Sequence, residues 1–215
     1  MIKGAIFDMD GVITDNKVQD FTAWKRVFAD FGIDLSFDGY KVFTGMKGEE
    51  IVKKYIRPGA DDAEATDLTR RKENYFIEEI KKSKIEPTPG VVRLLNDLKA
   101  NDIKMGIGTA AMKFKANAVL DELGLKEFFY IIVSAEEVKK GKPDSETYLK
   151  VAQELGFKPE ECFVIEDAPN GIAAAKNGNI KCIAITTTHQ RSELGRADRI
   201  IDSFDELSVN DLASL

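Results

Sequence analysis

The chain begins with the stretch AIFDMDGV, residues 5–12, which decides how the rest of the sequence is interpreted. An apolar run, residues 2–7, ends in two carboxylates, Asp8 and Asp10, and Gly11 follows directly. If this run is a buried strand, both acids lie at its carboxyl end, where open α/β sheets place their ligands. One carboxylate could then attack while the other moves a proton. An acidic turn after a strand is the alternative interpretation, and the remaining sequence must decide between the two.

Composition and charge limit the class of protein. The chain has 215 residues, 43% of them hydrophobic, which is typical of a globular protein with a substantial core. Its formal net charge is −6 and its isoelectric point is about 5.1, which disfavours nucleic acid as the main partner. A small anionic substrate remains compatible, because it responds to the local field. Cys162 and Cys182 each lie in an apolar run, so we expect buried free thiols.

No segment has the pattern of a targeting or membrane sequence. Charged residues interrupt the first apolar stretch, so it does not resemble a signal peptide. No window reaches the roughly 18 apolar residues of a membrane span. We therefore expect a soluble cytoplasmic protein with no membrane contact, and nothing in the sequence requires more than a monomer.

The period of the apolar pattern changes after the first strand. From about residue 16 to residue 82 the signals are helical, with further helices expected near 51–55 and over 61–82. Three- and four-residue spacing relates the apolar residues Phe21, Trp24, Phe28 and Phe31. Residues 16–83 are thus predicted to form an all-helical domain, inserted into a second domain made of residues 1–15 and 84–215.

Strands and helices alternate over the remainder of the chain. The predicted strands are 103–108, 130–134, 162–166, 181–186 and 199–201, and the predicted helices lie near 90–100, 113–123, 144–155 and 169–178. Such alternation predicts an α/β fold with a parallel sheet and right-handed crossovers, which the first strand joins. The helical insertion would then cover the carboxyl end of the first strand.

The second predicted strand ends in the turn GIGTAA, residues 106–111. It brings the hydroxyl of Thr109 and the backbone of Ala110 and Ala111 to a helix start, which is a typical anion site. The string also matches G-x-G-x-x-A, a dinucleotide-binding fingerprint. That alternative is disfavoured because the fingerprint usually occupies the first βα unit, and the strand that follows here ends in Ser134 rather than an acid.

Two more strand ends carry charged groups. Lys142 lies in a turn of glycine and proline after the third of these strands, and Glu166 and Asp167 end the fourth. With Asp8 and Asp10, the second acidic pair could converge on one hard cation such as Mg²⁺, which prefers oxygen ligands. Two acidic pairs, a hydroxyl and a lysine at four strand ends favour a site over a set of turns.

These segments, in this order, resemble the four motifs of the haloacid dehalogenase superfamily of phosphotransferases. Within it, the chain is most similar to the β-phosphoglucomutase-like phosphatases with a helical cap. The resemblance covers essentially the whole chain, including the position of the helical insertion. It implies a Rossmann-like parallel-sheet core with an inserted helical-bundle cap.

The resemblance also implies a covalent mechanism. Asp8 would be the nucleophile and form an aspartyl phosphate. Asp10 would protonate the leaving group and then activate water, for which burial or a neighbouring anion should raise its pKa. Thr109 and the nearby N–H groups of Ala110 and Ala111 would hold phosphoryl oxygens.

The remaining two motifs would handle charge. Lys142 would offset the repulsion between Asp8 and the substrate phosphate. Mg²⁺ would be held by the Asp8 carboxylate, the Asp10 backbone carbonyl and Asp167, with Glu166 either a direct ligand or a partner of the ligands. Phosphoryl transfer depends mainly on such positioning and neutralisation.

The cap departs from the mutase pattern at two positions. The histidine that such mutases carry in the first cap helix corresponds here to Asp20, and their phosphate-binding arginine corresponds to Gly48. The candidates for facing the substrate are Asp20, Trp24, Lys47 and either Arg71 or Lys72, although Trp24 could instead belong to the cap core. Lys113 could add positive field near Thr109 or could be an ordinary exposed lysine.

Three functions follow from these observations. The first is a Mg²⁺-dependent phosphatase that acts on a small phosphorylated metabolite, and the sequence does not identify that metabolite. The second is a phosphosugar mutase of the β-phosphoglucomutase type. The third is a non-catalytic protein that binds a phosphorylated ligand. The replacement of histidine by Asp20 favours water as the phosphoryl acceptor.

Overall fold

A six-stranded parallel sheet forms the centre of the computed structural model, which describes residues 2–212. Its strands are β1 (Gly4–Phe7), β2 (Lys104–Gly108), β3 (Phe129–Val133), β4 (Cys162–Glu166), β5 (Lys181–Ile185) and β6 (Arg199–Ile201). They are arranged in the order β3-β2-β1-β4-β5-β6, and every neighbouring pair is parallel. The predicted α/β class and all six predicted strands are confirmed.

Both faces of the sheet are covered, which explains why its strands are continuous apolar runs rather than alternating ones. Every residue of β1 and β4 is buried. The covering helices are α5 (Val91–Ala100), α6 (Lys113–Leu123), α7 (Glu146–Leu155), α8 (Pro169–Asn177) and the short α9 (Val209–Leu212). Short 3₁₀ turns lie at Lys126–Phe128, Ala135–Glu137, Pro159–Glu161, Arg191–Glu193 and Phe204–Glu206.

The segment between β1 and α5 contains helices and no strand within the described residues. They are α1 (Lys17–Ala29), α2 (Phe37–Lys41), α3 (Gly48–Ile51), which continues as a π-helical turn over Val52–Ile56, and α4 (Asp62–Lys82). The sequence pattern did not predict α2, because five residues are too few to show a helical period. Its N-terminus is instead marked by Ser36, whose hydroxyl accepts a hydrogen bond from the Gly39 N–H.

Two short segments connect this helical region to the sheet, and they lie side by side. The Thr14 hydroxyl donates to the Glu86 carbonyl oxygen at 2.7 Å, and the Thr88 N–H donates to the Ile13 carbonyl oxygen at 2.9 Å. Gly11, with a φ of +87°, makes the turn that leads from β1 into the first connection. The crossings are therefore tied to each other rather than independently flexible.

The helical region has an aromatic core of its own, but it also packs into the sheet. Phe28 and Phe43 stack with ring centroids 5.7 Å apart, and Trp24 packs edge-to-face against both at 5.9 to 6.2 Å. From α4, Phe76 and Ile80 join the apolar cluster that covers one face of the sheet. The apolar contact between the two regions is thus continuous at the C-terminal half of α4.

Two features predicted from sequence have simple structural explanations. Gly106 and Gly108 lie inside β2, where α7 packs closely; a Cβ at Gly106 would lie 2.6 Å from a methyl group of Val151. These glycines therefore permit helix–strand packing and do not form a phosphate-binding turn, which is evidence against dinucleotide binding.

Cys162 and Cys182 are buried free thiols, as predicted, and burial raises the pKa of Cys162 to about 12.

No helix among residues 2–212 combines the length and apolar character that crossing a membrane requires.

We predict that Gly106→Ala destabilises the protein by about 1–3 kcal/mol, because the added methyl group overpacks the contact between β2 and α7. Urea unfolding followed by circular dichroism measures the change. The matched control is Gly195→Ala, since no heavy atom lies within 4 Å of the position of the added Cβ. Equal free energies of unfolding for the two variants would contradict this account.

Candidate active site

The polar residues of all four motifs meet at the carboxyl edge of the sheet. The strand order changes direction at β1, whose neighbours are β2 and β4, and Phe7 is in register with both Ile107 and Ile165. The residues after β1 and β4 therefore emerge next to each other, at a topological switch point where α/β proteins bind ligands. This register brings Asp8 beside Glu166 although the two residues are distant in sequence.

A buried lysine joins these two carboxylates. The Nζ of Lys142 lies 2.7 Å from Asp8 Oδ1 and 2.8 Å from Glu166 Oε1. Both carboxylates raise the pKa of Lys142 despite its burial, so the group is a cation. Burial raises the pKa of the Asp8 carboxyl to about 7, against the lowering effect of Lys142. Lys142 thus contacts Asp8, as the resemblance implied.

Three acidic side chains converge here without a second cation. Oxygen atoms of Asp8, Glu166 and Asp167 lie within 4.8 Å of one another, and all three residues are buried. Burial and the charges of Glu166 and Asp8 raise the pKa of Asp167 well above its usual range. A divalent ion would remove this repulsion, and an all-oxygen donor set suits Mg²⁺. The residues present fit the expected metal.

The hydrogen bonds of Glu166 indicate its place in such a site. Its Oε1 accepts from Lys142 and from the Tyr148 hydroxyl at 2.7 Å, and its Oε2 accepts from the N–H groups of Asp167 and Ala168, both at 2.8 Å. Four donors occupy its lone pairs. By contrast, Asp8 Oδ2 and Asp167 Oδ1 have no donor among the described residues and are available to a metal or a phosphoryl group.

Asp10 has a different environment from the one expected. Its side chain is 30% exposed, and its Oδ2 lies 2.6 Å from the Nζ of Lys115. Its Oδ1 accepts a hydrogen bond from the Asn16 side-chain amide at 2.5 Å. The expectation of deep burial or an adjacent anion is therefore not met, because the charged group that contacts Asp10 is a lysine.

The turn after β2 holds a hydroxyl and free backbone donors in place. Thr109 is buried, its Oγ1 accepts from the Ala111 N–H at 3.1 Å, and its own N–H donates to the Val133 carbonyl oxygen. The Ala110 N–H has no acceptor among the described residues. Thr109, Ala110 and Ala111 all line the same cavity as Asp8 and Asp10.

The cap side of this cavity contains a second charged cluster. Asp20 Oδ1 lies 2.5 Å from the Nζ of Lys72 and 2.9 Å from the Nζ of Lys115, and its Oδ2 accepts from the Tyr40 hydroxyl at 3.2 Å. Glu73 completes the cluster, 3.1 Å from Lys72. Although burial acts in the opposite direction, the two lysines hold the pKa of Asp20 well below its usual range.

The other sequence candidates divide between the cavity and the surface. Trp24 lines the cavity and also packs in the aromatic core of the helical region. Its position therefore agrees with both placements that the sequence allowed, facing the substrate and belonging to that core. Lys72 lines the cavity, whereas the exposed Arg71 pairs with Asp30. Lys47 does not line it and donates to the Val138 carbonyl oxygen at 2.9 Å. Lys113, the other lysine considered near Thr109, pairs with Glu137 instead.

Sequence reasoning missed Lys115, which is only 1% exposed and contacts both Asp10 and Asp20. A signal was available, because Lys115 precedes Val119 by four residues and so lies on the buried stripe of α6. Asn16, Tyr40, Glu73 and Tyr148 were also missed, since their roles depend on contacts between distant parts of the chain.

The cavity between the sheet edge and the helical region has a volume of about 70 Å³. This is small beside the several hundred Å³ of ordinary ligand pockets. Outside the cavity, contacts such as Lys47 to the Val138 carbonyl oxygen and the Gly141 N–H to the Glu50 carboxylate join the helical region to the rest of the chain.

Comparison with known protein families shows which family has this sequence pattern. Residues 5–185 match the family of haloacid dehalogenase-like hydrolases. The chain belongs to this family. The match spans all four motif segments, and it confirms both the resemblance seen in the sequence and the prediction of a phosphohydrolase.

Individual relatives share the fold over nearly the whole chain. The crystal structure of β-phosphoglucomutase from Clostridium difficile has a TM-score of 0.88 and 29% identity, covering 100% of this chain and 96% of that one. A β-phosphoglucomutase of Bacillus subtilis is 33% identical over 86% of this chain and 83% of its own length. The Arabidopsis thaliana chloroplastic 5-amino-6-(5-phospho-D-ribitylamino)uracil phosphatase is 32% identical over 99% of this chain, which spans 57% of that protein's length.

We predict that Asp20→Asn lowers the free energy of unfolding by roughly 3 kcal/mol at pH 7, because it removes one carboxylate partner from each of two buried lysines. The pKa of Asp20 is depressed in the folded state relative to about 3.9 in the unfolded chain. Its stabilisation is therefore complete above about pH 5 and is lost as the pH falls below about 4.

Urea unfolding of both proteins between pH 3 and pH 7 tests this prediction. The matched control is Asp38→Asn, which removes the same charge from an exposed position of α2. A difference between the native protein and Asp20→Asn that stays constant down to pH 3 would contradict the assignment.

Proposed function

We propose that this chain is a Mg²⁺-dependent phosphatase that hydrolyses a small phosphorylated metabolite through an aspartyl-phosphate intermediate. The observation that carries the proposal is the convergence of Lys142 with the acidic triad of Asp8, Glu166 and Asp167, at a cavity that Asp8, Asp167 and Thr109 line. A carboxylate with a free oxygen, a fixed cation and a metal-type donor set are what phosphoryl transfer to a protein side chain requires.

The chain's own residues supply most of the chemistry. Asp8 Oδ2 attacks phosphorus and the bond to the leaving oxygen breaks, while Lys142, hydrogen-bonded to Oδ1, offsets charge as the anions approach. Asp10 gives a proton to the leaving oxygen in the first step. In the second step it takes a proton from water while the water oxygen attacks phosphorus and the bond between phosphorus and Asp8 breaks, which releases phosphate and restores the Asp8 carboxylate. Thr109 and the Ala110 N–H hold the phosphoryl oxygens in a fixed orientation.

Mg²⁺ would be held by Asp8, Asp167 and the Asp10 backbone carbonyl. We place Glu166 behind these ligands, because its lone pairs already accept hydrogen bonds from Lys142, Tyr148 and two backbone N–H groups. When bound, the ion supplies the positive charge that keeps Asp8 ionised and stabilises the charge that develops on the phosphoryl oxygens.

The helical region acts as a cap in this proposal. Residues 16–83 would separate from the core domain, residues 1–15 and 84–215, to admit the substrate, and then close to exclude bulk water. Met1 and residues 213–215 of that range lie outside the described residues. Among the cap candidates, the proposal retains Asp20, Trp24 and Lys72, which line the cavity. A cytoplasmic location and a monomeric state remain predictions.

We expect the protein to release phosphate from p-nitrophenyl phosphate in the presence of Mg²⁺. The absorbance of the p-nitrophenol product measures the rate. Asp8→Asn should reduce this rate at least about 10³-fold, because the nucleophile is removed. EDTA should abolish the activity and added Mg²⁺ should restore it. No release by the native protein, or undiminished release by Asp8→Asn, would refute the proposal.

A phosphosugar mutase is the alternative to the proposed phosphatase, since the similar proteins include β-phosphoglucomutases as well as a phosphatase. We expect β-glucose 1-phosphate with a bisphosphate primer to yield free phosphate rather than glucose 6-phosphate. Asp20 replaces the mutase histidine, and the cavity presents a carboxylate there. Coupled assays measure both products; glucose 6-phosphate formation without matching free phosphate would reverse the assignment.

A further inference from the structure

Every lysine that lines the cavity is already paired with a carboxylate. These lysines are Lys17, Lys72 and Lys115, and no arginine lines the cavity among the described residues. Lys17, at the rim, lies 2.9 Å from Asp15. The two buried lysines face the space beyond the reacting phosphate, where the rest of a substrate would lie. Whether the positive charges of Lys72 and Lys115 can attract a substrate depends on which carboxylates already pair with them.

Asp20 is the carboxylate that these two lysines share. One of its oxygens lies 2.5 Å from Lys72 and 2.9 Å from Lys115, while Glu73 contacts Lys72 at 3.1 Å and Lys115 at 3.8 Å. Two cations and two anions make this cluster neutral. Lys115 also contacts Asp10 at 2.6 Å, so the ammonium groups of both lysines are already engaged by carboxylates.

A second phosphate group would bind poorly against this wall. It would bring up to two negative charges to a surface whose ammonium groups already donate to Asp20, Glu73 and Asp10. To be bound it would have to displace a buried carboxylate and leave that carboxylate unpaired, which is costly. An uncharged hydroxyl-bearing leaving group meets no such penalty beside Trp24 and Tyr40, which line the same space.

We propose that Asp20 is a specificity-determining residue that, by occupying Lys72 and Lys115, restricts the site to phosphomonoesters whose leaving group carries no second phosphate. This inference rests on the proposed phosphatase function and narrows its substrate class. Specificity here arises from excluding the competitor, since an occupied cation cannot attract a second anion. Asp20→Asn should remove the carboxylate that the two lysines share and so make their ammonium groups more available to a second anion.

The test compares the binding of glucose 6-phosphate and glucose 1,6-bisphosphate by ligand-induced shifts in melting temperature with Mg²⁺ present, which require no turnover. For the native protein, we expect the bisphosphate to bind no more tightly than the monophosphate. In Asp20→Asn the ratio of dissociation constants should shift tenfold or more toward the bisphosphate, the size of one charge-assisted hydrogen bond.

Three further variants separate charge from structure. Asp20→Asn combined with Lys72→Met removes the liberated cation and should return the ratio most of the way to the native value. Glu73→Gln leaves the carboxylate of Asp20 in place but removes another partner of Lys72, so a smaller shift in the same direction is expected. Asp38→Asn, which alters an exposed cap charge, should leave the ratio unchanged.

Two results would overturn the inference. One is a native protein that binds the bisphosphate at least tenfold more tightly than the monophosphate. The other is an Asp20→Asn variant whose ratio stays within twofold of native, or that shows no shift with the bisphosphate. Failure of the phosphatase proposal is a separate result, because it would be seen as absent phosphate release by the native protein from p-nitrophenyl phosphate.

Discussion

The site depends on one buried ammonium group, the Nζ of Lys142, held between Asp8 and Glu166. Parallel strands β1 and β4 deliver three carboxylates to the same few ångströms of a water-poor sheet edge. Such an arrangement is unstable without compensation, because burying unpaired charge is costly. Lys142 supplies part of that compensation, and the free oxygens of Asp8 and Asp167 leave a place for a divalent cation. Charge balance therefore links the stability of this edge to its chemistry.

A second lysine extends the same principle to the helical region. Lys115, on α6, contacts Asp10 of the core and Asp20 of the cap, and Lys72 and Glu73 of α4 complete the cluster. The acid that we assign to proton transfer is thus connected by one side chain to the element that covers the substrate. The shared cluster leaves neither Lys72 nor Lys115 unpaired on this side of the cavity, and this pairing underlies the proposed preference for substrates with a single phosphate.

Similarity and geometry answer different questions about this protein. The family match and the shared fold establish a haloacid dehalogenase-like hydrolase, but the similar proteins include both phosphatases and mutases. In our proposal the motif residues cannot separate the two activities, because transfer of the phosphoryl group to Asp8 would precede either outcome. The proposed distinction lies in the helical region, where Asp20 corresponds to the mutase histidine in the resemblance drawn from the sequence.

Much of the fold and of the site was predictable from local pattern. Short apolar runs predicted all six strands, and helical spacing predicted most of the helices. The polar residues in the segments that follow four of the strands identified Asp8, Thr109, Lys142 and Asp167 as one cluster, because parallel strands end at a common edge. The short helices α2 and α9 were overlooked, since four or five residues carry no period.

The sequence by itself thus determined the sheet, the helical insertion and the motif residues, because each depends on residues close together in the chain. Tertiary structure alone decided which charges pair. Glu166 proved to have all its lone pairs occupied, Arg71 lay on the surface where Lys72 reached the cavity, and Lys115 rather than Lys113 entered the site. An ion pair depends on distances between elements far apart in sequence, and no local pattern contains those distances.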